Sequence, residues 1–332
     1  MKKVSLQEIA KLAGVSKTTV SAVLNNRAKE YGIRAETEQK VKDTAARFNY
    51  APNKMARGLR LKKTQTIGLV VPDVSNWFFS QLSASLQKVA AEAAYHLYIT
   101  ASNYNEEEEY RTINDLLAWH IDGLIVASMM KKEQIPQNFL HSQIPIVYVD
   151  RRIESDNISW VASDNTQGAY DLISYLCSTG VREIYYLGGL ETISTFIHRV
   201  EGYRRALEEH DIRFNPDQVF EDGFTAADGY ALMRKIVAQR NGFPEAIFAA
   251  SCDFMVGLLQ FIKDDVKEIP PTLKIAAYDN HELLDFLSVK FPSVQQDTDG
   301  MAAAAFDLLS RAMDGERNVQ HQLIPTKLVV RA

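Results

Sequence analysis

Two sets of residues in this sequence have types and spacing that could do chemistry. The first is local. From Ser16 to Asn25, hydroxyl residues and a cation (Ser16, Lys17, Thr18, Thr19, Ser21) alternate with Val20, Val23 and Leu24 at helical spacing, so one helix face carries donors while the other packs. Such a face can meet phosphate oxygens and base edges in the major groove of duplex DNA. The second set is dispersed: Pro72 to Phe79, Ser128, Asp150-Arg151-Arg152, Ser194 to Arg199, Phe224, Ser251 to Asp253 and Asp279-Asn280 each fall just after a short apolar run. Carboxylates accept hydrogen bonds from hydroxyls, an aromatic ring stacks on the apolar side of a sugar, and Arg holds hydroxyl pairs or a phosphate bidentately, so this set suits a polyol. The competing reading is structural, with Arg199 an ion-pair partner and Phe78 and Phe224 part of a core. Catalysis has no comparable constellation. The 7 histidines show no metal spacing, Gly188-Gly189 is no phosphate loop and no GxSxG elbow occurs, so no catalytic residue, metal or cofactor is expected.

Three short helices must hold the first set. Ser5 with Glu8 forms a capping-box pattern around Leu6, Ile9, Ala10 and Ala13, and Gly14 supplies a tight stop. Ser16 caps the second helix, small Ala10 and Gly14 allow a close crossing, and a third helix opens at Thr37 and reaches about Phe48. That is the pattern of a helix-turn-helix, with a plain helical hairpin as the alternative. The second set needs strands. Strands and helices alternate at Thr66 to Val71, Trp77 to Ala94, His96 to Ala101, Glu106 to Trp119, Gly123 to Ala127 and Ile146 to Val149. The cycle repeats from the helix Gln167 to Thr179, with strands at Glu183 to Leu187, Gln218 to Glu221, Ala246 to Ala249 and Leu273 to Ala277. This predicts parallel βαβ units in two similar lobes joined near Ser163, with ligands beyond the carboxyl ends of the strands. Glu106 to Glu109 reads as a solvated helix start favoured by the helix dipole.

The overall balance of 37 Lys+Arg against 42 Asp+Glu argues against a nucleic-acid partner until its distribution is read. Residues 1–63 hold 15 Lys+Arg and 5 Asp+Glu, a balance of +10, which leaves -15 for the remainder. Clustered charge sets the local field, and the basic block reads as a nucleic-acid module rather than a merely solvated face. Cys177 and Cys252 are too few for a disulfide framework and suit a reducing compartment. Gln7, Glu8 and Lys11 interrupt any apolar leader, and no stretch approaches the ~20 apolar residues of a membrane span. A cytoplasmic protein without a membrane partner is expected.

The string from Leu6 to Ser21, with Asn25 and Tyr50-Ala51-Pro52-Asn53, resembles the LacI/GalR family of bacterial transcription repressors, and the likeness runs through both parts of the chain. The long loop from Asn26 to Glu36 is similar to that of the fructose- and sucrose-responsive (Cra- and ScrR-like) subgroup, as are Asp122 to Ser128, Tyr278 to Leu287 and Pro292 to Asp297. The resemblance implies an N-terminal all-α helix-turn-helix DNA-binding domain over residues 1–52, a hinge helix and linker over 53–63, and an effector-binding and dimerisation core over 64–332. That core would be an α/β two-lobed fold like that of periplasmic binding proteins, with parallel sheets flanked by helices. Its N-lobe would span about 64–163 and 292–322, and its C-lobe about 164–291 and 323–332.

The resemblance also implies roles. Lys17, Thr18 and Ala22 match base-reading positions, Ser16, Thr19, Ser21 and Asn25 match phosphate-contacting ones, and Arg27, Lys29 and Arg34 lie near the DNA backbone. Ala22 departs from the family pattern, since its methyl can at most touch a thymine. Asn53, Ala56, Arg57 and Leu59 belong to a hinge that becomes helical on DNA, with Leu59 as the minor-groove wedge. Gly58 lowers helix propensity by about 1 kcal/mol relative to Ala, as suits a segment that orders on binding. Phe78, Ser128, Asp150, Arg151, Arg199, Phe224, Ser251, Asp279 and Gln296 match the effector site. The expected function is a homodimeric repressor of sugar-utilisation genes on a pseudopalindromic double-stranded operator. A fructose-linked sugar or sugar phosphate, fructose-1-phosphate or fructose, would bind between the lobes and release it. A regulator answering to another sugar or also activating, and a sugar-binding protein without DNA function, are the alternatives. No heptad helix follows Val329, so a dimer rather than a tetramer is expected.

Overall fold

The computed structural model describes residues 4–50, 63–130, 135–140, 142–153, 157–316 and 318–331. The chain divides into two compact units, Met1–Thr64 and Gln65–Ala332. Asn53, Ala56, Arg57, Gly58 and Leu59 lie outside the described residues.

In the first unit, α1 (Leu6–Ala13) starts in a complete capping box: Glu8 N donates to Ser5 Oγ at 3.3 Å while Ser5 N donates to Glu8 Oε2 at 2.7 Å. It stops at Gly14, whose φ of 67° is left-handed and favours a residue without Cβ. Ser16 Oγ accepts from Thr19 N at 3.0 Å and opens α2 (Lys17–Leu24). The third helix, α3 (Ala35–Arg47), begins two residues before Thr37; Arg34 enters it from extended backbone without a side-chain cap. Ile9, Ala10, Ala13, Val20, Val23, Ala28 and Val41 form the core of this unit.

The second unit is one sheet design used twice. The first lobe holds β1 (Thr66–Val71), α4 (Trp77–Glu92), β2 (His96–Ala101), α5 (Glu106–Ala118), β3 (Gly123–Val126), α6 (Gln137–Leu140), β4 (Ile146–Val149) and β5 (Ser159–Ser163). The second holds α7 (Asn165–Ser178), β6 (Ile184–Gly188), α8 (Ser194–Glu209), β7 (Val219–Glu221), α9 (Ala226–Arg240), β8 (Ala246–Ala249), α10 (Cys252–Phe261), β9 (Lys274–Tyr278) and β10 (Ser293–Gln296). After α11 (Thr298–Met313), β11 (His321–Ile324) and β12 (Thr326–Val329) end the described chain. The sheets run β11-β5-β4-β3-β1-β2 and β12-β10-β9-β8-β6-β7, so each strand of one has a counterpart in the other. Helices α4 and α11 pack together on the first sheet, α7 and α8 on the second.

Two features differ from the sequence-based expectation. Residues 293–296 belong to the second sheet and not to the first lobe: Val294 is buried opposite Tyr278 of β9 and Leu328 of β12. The chain crosses back only at Asp297, the N-cap of α11. The sheets are also not wholly parallel, because β12 runs antiparallel to β10. After β11, which is parallel to β5, the chain continues past Pro325 directly into the other sheet. With no room for a reversing connection, it enters against the direction of the strands there.

Candidate functional site

On the head, Ser16, Lys17 and Thr18 are exposed at the start of α2, and Thr19 and Ser21 are half-buried beside them. A helix amino terminus with hydroxyls and a cation suits phosphate. Asn25 Nδ2 donates to Ser21 O at 2.5 Å. Ala22 is only 6% exposed, so its methyl has little surface to offer a thymine. It lies on the inward side of α2 between buried Val20 and Val23, and its carbonyl accepts from Arg27 N. Arg27 Nε pairs with Glu30 Oε2 at 2.7 Å, while Lys29 and Arg34 are exposed.

In the core, both sheets point the carboxyl ends of their parallel strands at a cleft between the lobes. Asp150 follows β4 and Asp279 follows β9, the counterpart strand, and both have left-handed backbones, with φ of 70° and 76°. Asp tolerates this conformation, and the bend at each strand end turns the side chain off the sheet. Together with Phe78, Arg151, Arg199, Phe224, Ser251 and Gln296, they line one small cavity of about 50 Å³. Ser251 Oγ caps α10 by accepting from Phe254 N at 3.4 Å, a bond that does not use its O–H donor.

Ser128, expected in this group, does not line the cavity. Its hydroxyl donates to Glu109 Oε1 at 2.5 Å, and Met129 N donates to Glu109 Oε2 at 2.6 Å. Glu109 is therefore fully buried rather than solvated. It lies one turn before Ile113 on the packed face of α5, while Glu106 and Glu107 are exposed and Glu108 is half-buried. Burial raises its pKa, opposed by the bonds from Ser128 and Met129. Ser128 reaches the cavity only indirectly: its carbonyl accepts from Arg151 Nη1 at 2.7 Å.

The charged groups are unevenly engaged. Asp279 accepts from Cys252 N at 3.1 Å and from Gln296 Nε2 at 2.6 Å, one bond to each oxygen. Asp150 meets Arg151 Nε at 3.8 Å, an ion pair too long for a hydrogen bond. Burial pushes the Asp150 carboxyl up to about 6, against the pull of Arg151 and Arg199. Burial also lowers the pKa of Arg151, so desolvation outweighs the pair's attraction in both partners. Arg199 donates from Nε to Asn165 Oδ1 at 2.8 Å and from Nη1 to Ala250 O at 2.6 Å, with its guanidinium 3.7 Å from the Tyr278 ring centroid. Arg199 is thus held by neutral acceptors rather than by the ion pair of the structural reading, and it also stands in the cavity wall. Arg152 lies outside this group, 3.9 Å from Asp164.

The cavity also brings in Asn76, Phe79, Tyr104, Thr195 and Phe196, none of them singled out by sequence. Four fall within the strand-end stretches 72–79 and 194–199. Tyr104 follows β2, and the same strand-end rule finds it. Its ring stacks on Phe224 of the other lobe with centroids 4.8 Å apart and planes 8° apart. Asn76 Nδ2 donates to Asp253 Oδ2 at 2.7 Å, and Arg152 N to Ser194 Oγ at 3.0 Å, two further bonds across the lobes. Ligand cavities typically measure about 300–1,000 Å³, so a sugar can enter only if these contacts part. A larger recess of about 620 Å³ lies at the amino ends of β4 and β5, but its guanidinium, Arg311, is already bound to Asp307 at 2.5 Å. Aromatic rings and charges from both lobes converge on the smaller cavity, which makes it the candidate site.

Residues 64–323 match the model of periplasmic binding proteins and the sugar-binding domain of the LacI family, and residues 5–53 match that of the bacterial regulatory proteins of the lacI family. A sucrose operon repressor of Klebsiella pneumoniae is 34% identical over 95% of this chain and 94% of its own. Among solved structures, a lac repressor dimer bound to operator and the anti-inducer ONPF superposes with a TM-score of 0.84 at 22% identity, over 99% of this chain and 98% of that one. A Cra dual regulator from Pseudomonas putida in complex with fructose 1-phosphate gives 0.73 at 22% identity, over 81% and 99%. Among the described residues no helix is long and apolar enough to cross a membrane. With both of its units matched, the chain belongs to the LacI family of DNA-binding transcription regulators.

Proposed function

We propose that the chain is a sugar-released repressor. As a homodimer it grips a pseudopalindromic operator through Ser16, Lys17, Thr18, Thr19, Ser21 and Asn25 of each head, with Arg27 and Lys29 beside the backbone. Asn53, Ala56, Arg57 and Leu59 take the minor groove. A fructose-linked sugar or sugar phosphate enters between the lobes and contacts Phe78, Asp150, Arg151, Arg199, Phe224, Ser251, Asp279 and Gln296, with Ser128 holding Arg151. The observation that carries this reading is the meeting of Asp150 and Asp279 from counterpart strands at one cavity with Phe78 and Phe224. Dimerisation is supported by large apolar side chains left in solvent: Leu283 and Phe286 are 61% and 82% exposed, and Tyr98 packs edge-on against exposed Trp119. By linkage, the sugar lowers operator affinity by the ratio of its own affinities for the two lobe arrangements.

The test is an anisotropy titration of the chain on a pseudopalindromic duplex. Binding should weaken steeply with salt and be reversed by the sugar. Operator binding that tightened with fructose or fructose-1-phosphate would reject the sign of the switch. Leu59→Ala should weaken operator binding without changing sugar binding.

A further inference from the structure

We propose that the cleft selects an uncharged, hydroxyl-rich sugar and discriminates against its phosphate ester, an inference that rests on the effector reading above. The open hydrogen-bonding atoms of the cavity wall favour such a ligand. Arginine takes a phosphate best through two parallel N–H donors of one guanidinium. Arg199 cannot offer the fork that uses Nε, because Asn165 Oδ1 holds that N–H, and the Ala250 carbonyl takes one N–H of Nη1. In Arg151 the Ser128 carbonyl and Met129 Sδ hold Nη1, and the remaining edge begins at Nε, which is buried without a hydrogen-bond partner and faces Asp150 Oδ2 at 3.8 Å. A phosphate docked on that edge would stand beside an existing carboxylate, with Asp279 in the same cavity wall. Like charges packed together in a buried site are strongly disfavoured.

The open acceptors point the same way. Gln296 Oε1 is buried without a hydrogen-bond partner, its Nε2 being fixed on Asp279. The Asp150 carboxylate makes only the long contact to Arg151. Both sites require a donor, and leaving a buried acceptor unmet is costly. A sugar supplies O–H donors wherever its ring presents them, whereas the dianionic phosphate group of a sugar phosphate supplies acceptors alone. Asp150 and Gln296 are thus the specificity-determining residues, and Arg151 and Arg199 act mainly to hold the cavity wall.

Calorimetry and thermal-shift titration of the full chain with D-fructose, sucrose, fructose-1-phosphate and inorganic phosphate test this. An uncharged sugar should bind at least roughly tenfold more tightly than fructose-1-phosphate, and inorganic phosphate should not compete. Asp150→Asn should weaken uncharged-sugar binding by roughly ten- to a hundredfold, the effect of losing hydrogen bonds to a charged acceptor, and weaken the phosphate ester less. Tighter binding of fructose-1-phosphate to the unaltered chain, or competition by inorganic phosphate, would overturn the selectivity while leaving the effector site in place. Failure of all four to bind would overturn the effector reading and this inference with it. The unaltered chain decides between these outcomes even if the variant does not fold.

Discussion

Asp150 and Asp279 end corresponding strands of two sheets with the same strand order, in the same left-handed backbone conformation, yet their carboxylates do different work. Asp279 is bound on both oxygens, to the first N–H of α10 and to Gln296, and so ties β9, α10 and β10 together. Asp150 is as deeply buried but has only Arg151 beside it, beyond hydrogen-bond range. A repeated fold therefore supplies a repeated position, while the neighbours decide whether the group there is structural or available to a ligand. The available one carries the desolvation penalty, as groups held ready for a partner commonly do.

Stability measurements can break or sharpen this contrast. The largest effect should come from Asp279→Ala, which leaves the Cys252 N–H and the Gln296 amide unmet and should cost about 3–5 kcal/mol in denaturant unfolding. A loss under about 1 kcal/mol would remove the structural role. Asp150 should act through pH instead. Its carboxyl is raised to about 6 in the fold, so at low pH it is protonated in both states and carries no penalty. As pH rises from the ordinary carboxylate range towards 6, the unfolded chain ionises first and stability falls, by on the order of 3 kcal/mol. Asp150→Asn should flatten that fall in urea midpoints measured between pH 4 and 7; an unchanged slope would assign the penalty elsewhere. Sugar affinity should move the other way, dropping as pH goes below about 6, because a hydroxyl donor favours the ionised carboxylate.

Smaller effects compare the lobes' supporting contacts. Glu109→Ala should cost about 2 kcal/mol by stranding the Ser128 hydroxyl and Met129 N–H, whereas Glu106→Ala on the exposed side of the same turn should change stability by less than about 0.5 kcal/mol. Equal costs would return Glu109 to the solvated helix start. Tyr104→Ala, which removes the stack on Phe224, should cost at least about 1 kcal/mol. No loss of stability would mean that the stack adds nothing to lobe closure.

Local chemistry made the elements readable. The capping box at Ser5 and Glu8, the stop at Gly14 and the cap at Ser16 each act within a few residues, so the sequence specifies them without help from the rest of the fold. The alternation of apolar runs and helices likewise predicted both lobes, and the strand-end rule located Asp150, Arg199, Phe224 and Asp279 at the cleft. Single-residue roles were less legible where helical phase or long-range pairing decides them. Ala22 matched a base-reading position through the family resemblance and Glu109 sits in an acidic run that suggested exposure, and only the packed faces of α2 and α5 turn them inward.

The sequence by itself thus determined where helices start and stop, which residues end the strands, and that a basic head precedes an acidic core. Only the tertiary structure decided that Ser293–Gln296 joins the second sheet, that Tyr104 meets Phe224 and that Glu109 holds Ser128 away from the cavity. The physical reason is range. Caps and periodicity are settled between near neighbours, whereas pairing across sheets and lobes depends on which distant surfaces are brought together, and the local pattern carries no record of that.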